Sequence, residues 1–235
     1  MDRLTRKELK TDRFALEVGH SVEYVSEHKQ QFVRYGAIAA GVVALALIVY
    51  GFVSYRAGVR EDALRAALKV QETPVAPVSQ DPEQPTFPTQ QAKDAAVQKS
   101  LTDIANKYSG SKQGAVAKYY LGTMAASKGD LAGAEKDLRD AVDNGGNDYG
   151  SLAKMALAPI LQSEGKSAEG EQMLRSLVDK PSTFVSKEQA TIALARYIAT
   201  SKPAEARKLL EVLRTERSAV SRAALSALAE LPPAK

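Results

Sequence analysis

The sequence predicts an all-α protein, a single transmembrane helix followed by a helical-repeat solenoid. Three observations carry this expectation. No residue between Arg34 and Arg56 is charged. From about Ala92 to the C-terminus, apolar residues recur at helical spacing. Within that region a helix–turn–helix pattern returns at an interval of 36 residues.

The apolar stretch runs from Tyr35 to Tyr55 and contains Ile38, Val42, Val43, Leu45, Leu47, Ile48, Val49, Phe52 and Val53. At ~1.5 Å per residue it spans a hydrocarbon core of ~30 Å, and Tyr35, Tyr50, Phe52 and Tyr55 sit at its ends like an aromatic belt. The preceding 34 residues are too long for the n-region of a signal peptide, and no small-x-small cleavage site follows, so the segment reads as an uncleaved anchor. Arg3, Arg6, Lys7, Lys10 and Arg13 favour an N-terminus in the cytoplasm. Nearer the span the balance reverses, with Lys29 and Arg34 before it against Arg56, Arg60, Arg65 and Lys69 after it. Gly36, Ala40 and Ala44, like Ala37 and Gly41, have the small-xxx-small spacing that permits close approach of a second helix.

Residues 1–34 form an amphipathic arm with Phe14, Val18, Val22, Val25, Phe32 and Val33 along one stripe. Three arrangements fit such an arm: on the lipid surface, docked on a partner, or extended as a solvated helix. Its histidines, His20 and His28, stand about 12 Å apart along a helix, too far for one metal ion. After the span, residues 56–90 divide into a short amphipathic stem helix and a linker carrying Pro74, Pro77, Pro82, Pro85 and Pro88. Prolines at that density favour an extended, semi-rigid spacer.

Residues 91–235 are expected to form the repeat domain. Val97, Leu101, Ile104, Ala105 and Tyr108 make the first apolar stripe. Two helices then flank Lys128-Gly129-Asp130, with Asp130 as N-cap of the second. The pattern recurs around Gly165, and again before Pro203 with a shortened connection, where Ser186 and Gln189 form a capping box. A last helix, Ala219 to Leu231, closes the array.

Composition narrows the function. Lys and Arg are interleaved with Asp and Glu at a net charge of +4, so the basic face of a nucleic-acid binder is missing. There is no Cys, and neither His nor Trp follows the apolar segment, which excludes Ser-His-Asp and Cys-His catalysis there. Gly165-Lys166-Ser167 lacks the P-loop glycine, because position 160 is Ile. Asp143 to Asp148 lacks a calcium loop's ligands, because positions 145 and 154 are Gly and Lys. No enzyme activity, cofactor, metal or small-molecule substrate is expected. The expected partners are other proteins and the lipid bilayer.

Leu121, Gly122, Gly129, Ala134, Leu138 and Ala141 resemble the key positions of the tetratricopeptide repeat. Leu157, Ala158, Gly165, Gly170, Leu174, Leu177 and Pro181 match in a second unit. Leu194, Ala195, Ala206, Leu210 and Leu213 match in a third. The resemblance implies a groove lined by the first helix of each pair. Carried over, its positions are Tyr119 and Thr123, then Met155 and Gln162, then Gln189 and Arg196, with Pro159 expected to kink the second of these helices. The layout as a whole resembles the YfgM-like family of bacterial inner-membrane proteins. That resemblance implies a cytoplasmic N-terminus, a periplasmic repeat domain, and partners among the Sec translocon, periplasmic chaperones and exported clients. The alternative is a scaffold or oligomerisation component of a cell-envelope complex, acting through its membrane helix and arm.

Overall fold

The computed structural model describes residues 29–76, 85–215 and 218–232. The arm before residue 29, with both histidines, and the middle of the proline-rich segment lie outside the described residues. Among the described residues there are nine α-helices and no strand beyond one isolated bridge. They are α1 (Lys29–Glu72), α2 (Gln90–Lys107), α3 (Lys112–Ser127), α4 (Leu131–Asn144), α5 (Gly146–Ser163), α6 (Ser167–Asp179), α7 (Lys187–Ile198), α8 (Pro203–Leu213) and α9 (Ser218–Glu230). The all-α class and the long apolar N-terminal helix are as expected. The chain divides into two units, residues 1–58 and residues 59–235.

In the first unit α1 is long and apolar enough to cross a membrane. Ile38, Val42, Leu45, Leu47, Ile48, Val49 and Phe52 are all exposed, and nothing in the described chain packs on them. An apolar surface on every side of a helix is unlike the one-sided stripe of a water-soluble helix.

The second unit is built from stacked helix pairs. Local chemistry starts and stops each helix. Thr89, Ser111 and Asp130 accept hydrogen bonds from Ala92, Gly114 and Gly133 N–H (2.9–3.2 Å), satisfying donors that a first helical turn leaves unpaired. Ser186 and Gln189 form the expected reciprocal capping box. Gly129 and Gly165 end the first helices of their pairs at φ +80 and +79, which a side chain would strain. The next N–H then turns back onto the helix, Asp130 to Ala125 O and Lys166 to Leu161 O. The third pair has no such glycine, and Pro203 starts α8 directly.

Packing follows the small residues. Gly122 lets α3 lie against α4: a Cβ there would stand 2.8 Å from Leu138 Cγ and 3.2 Å from the Ala134 carbonyl. Ala134, Leu138 and Ala141 on that face of α4 are fully buried. Three apolar clusters run in chain order along the array. They centre on Leu101 and Val116, on Leu138 and Leu157, and on Leu194 and Leu210. Each element touches mainly its neighbours, as in repeat proteins generally.

Two features differ from the sequence expectation. The stem helix shares the core of the repeat domain. Leu64 and Ala67 are buried with Val97, Leu101, Val116 and Ala117, so residues 59–72 and α2 make a further helix pair. The described ends of the proline-rich segment also come together. Ala76 N–H donates to Phe87 O and Phe87 N–H to Pro74 O, both at 3.0 Å, so its two ends are bonded together.

An ion ladder ties successive second helices. Arg139 on α4 pairs with Glu135 on its own helix and with Glu169 on α6 (2.6 Å), and Lys166 reaches back to Glu135 (2.8 Å). Thirty-six residues on, Arg175 pairs with Glu171 and with Glu205 on α8, and Lys202 reaches back to Glu171. The hydrogen bonds from Lys166 and Arg139 hold Glu135 down at about 2. Arg139 lowers Glu169, and Lys202 with Arg175 lowers Glu171. A carboxylate depressed in the folded state stabilises fully above its unfolded value of ~4.3, and that contribution is lost as pH falls toward the folded value. We expect the melting temperature of the full chain to fall between about pH 4.5 and 2. The Glu135→Gln/Glu171→Gln variant should melt a few degrees lower at pH 7 and show a flatter acid limb. Exposed pairs are individually weak, so the effect is modest and shrinks in high salt.

Candidate protein-binding surface

The six residues expected to line a groove are placed as follows. Thr123 is half-buried on α3 and its hydroxyl donates to Tyr120 O (2.8 Å). Met155 packs against the third core cluster. Gln162 donates to Tyr197 O at 3.2 Å, bridging α5 to α7. Gln189 accepts from Ser186 N–H in the capping box. Arg196 is held by both oxygens of Glu230 on α9, at 2.9 and 3.0 Å. Pro159 is exposed within α5, which continues to Ser163. Gln162, Gln189 and Arg196 are exposed, whereas Tyr119 is half-buried in a cluster of rings.

That cluster is aromatic. Tyr119 and Tyr120 adjoin on α3, with ring centres 5.3 Å apart and edge-to-face. Tyr149, in the first turns of α5, meets Tyr119 at 5.7 Å and Tyr120 at 6.2 Å. Phe184, in the loop before α7, stands edge-on to Tyr149 at 5.3 Å. Edge-to-face pairs of this kind are each worth about 0.5–1.5 kcal/mol beyond the area they bury. The three tyrosines are half-buried, whereas Phe184 keeps 46% of its surface exposed.

The chain holds Phe184 out deliberately. Its neighbour Val185 is buried, Ser182 N–H donates to Val185 O and Val185 N–H to Ser182 Oγ, and Thr183 N–H donates to Asp148 Oδ1 (3.2 Å). A loop bonded at Ser182, Thr183 and Val185, with the Phe184 ring left largely in solvent, forms an apolar knob.

Beside Tyr149 opens a cleft of about 350 Å³, lined by Glu61, Leu64, Arg65 and Leu68 of α1 and by Lys112, Gln113 and Val116 of α3. Gln113 donates to Glu61 across it (3.2 Å). Burial raises the phenols of Tyr149 and Tyr119, and Tyr120 raises Tyr149 further through their hydroxyl contact at 3.4 Å. Tyr119 and Tyr149 therefore stay neutral and offer rings and hydroxyls, not charge, to a ligand. Among the described residues no group of His, Asp and Glu stands close enough to hold a metal ion.

Tyr120, Tyr149 and Phe184 were absent from the sequence-derived set. A signal for two of them exists in the sequence: Tyr149 and Phe184 are 35 residues apart, about one repeat, in a chain with only 6% aromatics.

A model described as Tetratricopeptide repeat-like domain matches residues 29–209, most of the chain. The chain belongs to that family. Neither the comparison with curated proteins nor that with solved structures returns a match. Tetratricopeptide repeat-like domains typically serve protein–protein interaction, so the partners are proteins in general terms. The matched stretch begins at residue 29, so the apolar helix α1 falls within the family pattern and is not an appendage to it.

Proposed function

We propose that this tetratricopeptide repeat-like protein is a membrane-anchored interaction module whose aromatic surface takes apolar segments of other polypeptides. The observation that carries this is the run Tyr119, Tyr120, Tyr149 and Phe184, ending in a ring that a fixed loop holds in solvent. Aromatic side chains give large contact area for few rotatable bonds, and rigid ones lose little entropy on binding. Edge-to-face stacking and the adjoining cleft suit an extended segment carrying aromatic or branched apolar residues.

In this reading α1 anchors the chain in a bacterial inner membrane, the N-terminus is cytoplasmic and the repeats are periplasmic. Exported polypeptides and the Sec translocon or periplasmic chaperones that handle them are then the partner class. The support is the YfgM-like layout, the basic residues near the N-terminus, and the family match that covers anchor and repeats together. A second reading, a scaffold acting through α1, rests on the open faces of Gly36 and Gly41, where an added Cβ would meet nothing in this chain.

The test places a photo-crosslinking amino acid at Phe184 and, separately, at exposed Lys99, in intact cells. Phe184 should capture defined proteins and Lys99 should not. Tyr149→Ala should cut capture from position 184 about tenfold or more, the size typical of a lost aromatic hot spot, at a temperature where circular dichroism shows the variant still folded. Equal capture from both positions, or capture that survives Tyr149→Ala, would remove the aromatic surface from consideration. Because the chain lacks Cys, Lys99→Cys and Ser21→Cys variants report topology. An impermeant thiol reagent should label only the former in spheroplasts.

A further inference from the structure

The internal repeat is broken at one place, and the break opens a groove. In the first aligned pair Lys118 on α3 reaches Asp140 on α4 (2.6 Å), and in the second Lys154 on α5 reaches Ser176 on α6 (3.2 Å). The register set by Leu157 and Leu194, and by Leu174 and Leu210, puts Thr191 and Val212 at those positions in the third pair. Thr191 is too short to cross, and its hydroxyl donates to Lys187 O of its own helix (2.7 Å). Val212 has nothing to bond and is 65% exposed.

Where the lysine clasp is missing, a trough of about 600 Å³ lies among α6, α7 and α8, with Val178, Thr191, Leu209 and Val212 in its walls. The equivalent trough of the first aligned pair is about 330 Å³ and holds Lys118, with Asp137 at the position of Leu209. Lys187 and Lys208 stand exposed at the rim of the larger trough, and neither forms an ion pair among the described residues. The rim carboxylates are engaged: Glu205 pairs with Arg175 (2.6 Å), and Glu188 also has a partner. An incoming ligand therefore meets apolar walls and, at the rim, two lysines that have no ion-pair partner among the described residues.

We propose that this trough is a second docking site, for an acidic amphipathic segment of another protein. Its apolar side chains sit over Leu209 and Val212, and its carboxylates meet Lys187 and Lys208. The site is separate from the aromatic surface and does not depend on it.

The test uses the full chain in nanodiscs, with empty nanodiscs subtracted, and fluorescence anisotropy of a labelled amphipathic peptide of leucine and glutamate. A counterpart with lysine in place of glutamate is the charge control. The acidic peptide should bind saturably and more weakly in high salt, and the basic one should not bind. Lys187→Glu/Lys208→Glu, at two exposed positions, should weaken binding at least tenfold without changing the melting temperature. Thr191→Lys/Val212→Asp, which rebuilds the clasp of the first aligned pair, should do the same; if it fails to fold, the charge reversal decides. Tyr149→Ala should leave the affinity unchanged. Equal binding of the basic peptide, no saturable binding, or indifference to the charge reversal would overturn the proposal. So would self-association in sedimentation that Val212→Asp abolishes, since the occupant would then be a second copy.

Discussion

Replacing Leu64 with Ala should destabilise the repeat domain by about 2–5 kcal/mol, the range for emptying a buried leucine site. Leu64 is 6% exposed and packs among Val97, Leu101 and Val116, in a cluster that joins residues 59–72 to α2 and α3. In a domain of this size the loss lowers the melting temperature by roughly 4–20 °C, at about 2–4 °C per kcal/mol. Were residues 56–72 only a stem between anchor and repeats, the same substitution would be silent. Arg65→Ala, one residue along, is a suitable control. Chemical denaturation of the full chain in detergent gives the number directly, and a change below about 0.5 kcal/mol, the scatter expected of surface substitutions, would show that the helix pair at this end is not part of the cooperative unit. The same packing argues against a fragment that starts at residue 91. It would expose Val97 and Leu101, whose buried neighbours it lacks, and should be less stable than one that starts at residue 56.

Why the sequence could not assign Leu64 is a matter of range. The stripe Leu64, Ala67 and Leu68 is amphipathic, and an amphipathic face says that something covers it, not what. Its cover, α2, lies beyond the proline-rich segment, whose ends are bonded together at Pro74, Ala76 and Phe87. The repeats were legible for the opposite reason. Gly129, Asp130, Ser186, Gln189 and Pro203 act on backbone within a few residues of themselves, so their spacing reports the structure without a partner.

The groove residues fall between these cases. Position within a first helix names Tyr119 and Met155, which the structure places in the aromatic cluster and against the third core cluster. Position alone does not say that Gln189 is engaged by its own helix end, or that Arg196 has Glu230 on the closing helix as a partner. The aromatic cluster depends on Phe184, which sits in a loop with no helical register, and on Tyr149, which precedes the aligned motif. Periodicity ranks neither. The ion ladder and the broken clasp were visible in principle, since Glu135, Arg139, Lys166 and Glu169 recur at Glu171, Arg175, Lys202 and Glu205. They gain meaning only once α4, α6 and α8 are known to be neighbours.

Ala134→Phe should cost about 1–3 kcal/mol, with the upper end expected, because the site has no room to expand. Ala134 is fully buried on α4 where the helix meets α3, and the approach is so close that even a methyl on Gly122 would press on the Ala134 carbonyl and on Leu138. A phenyl ring there must push α3 away from α4 or leave its preferred rotamer. Displacing α3 also moves Tyr119 and Tyr120 relative to Tyr149. The substitution therefore has a second expected effect, loss of capture from position 184 even at temperatures where the domain remains folded. Lys136→Phe, on the exposed side of the same helix, adds the same ring without entering the contact and should leave the melting temperature within a degree or two of the parent. If Ala134→Phe and Lys136→Phe melt alike, α3 and α4 do not meet at Ala134. The register that equates it with Gly170 and Ala206 in the later pairs, and with it the place of Val212 opposite Thr191, would then be wrong.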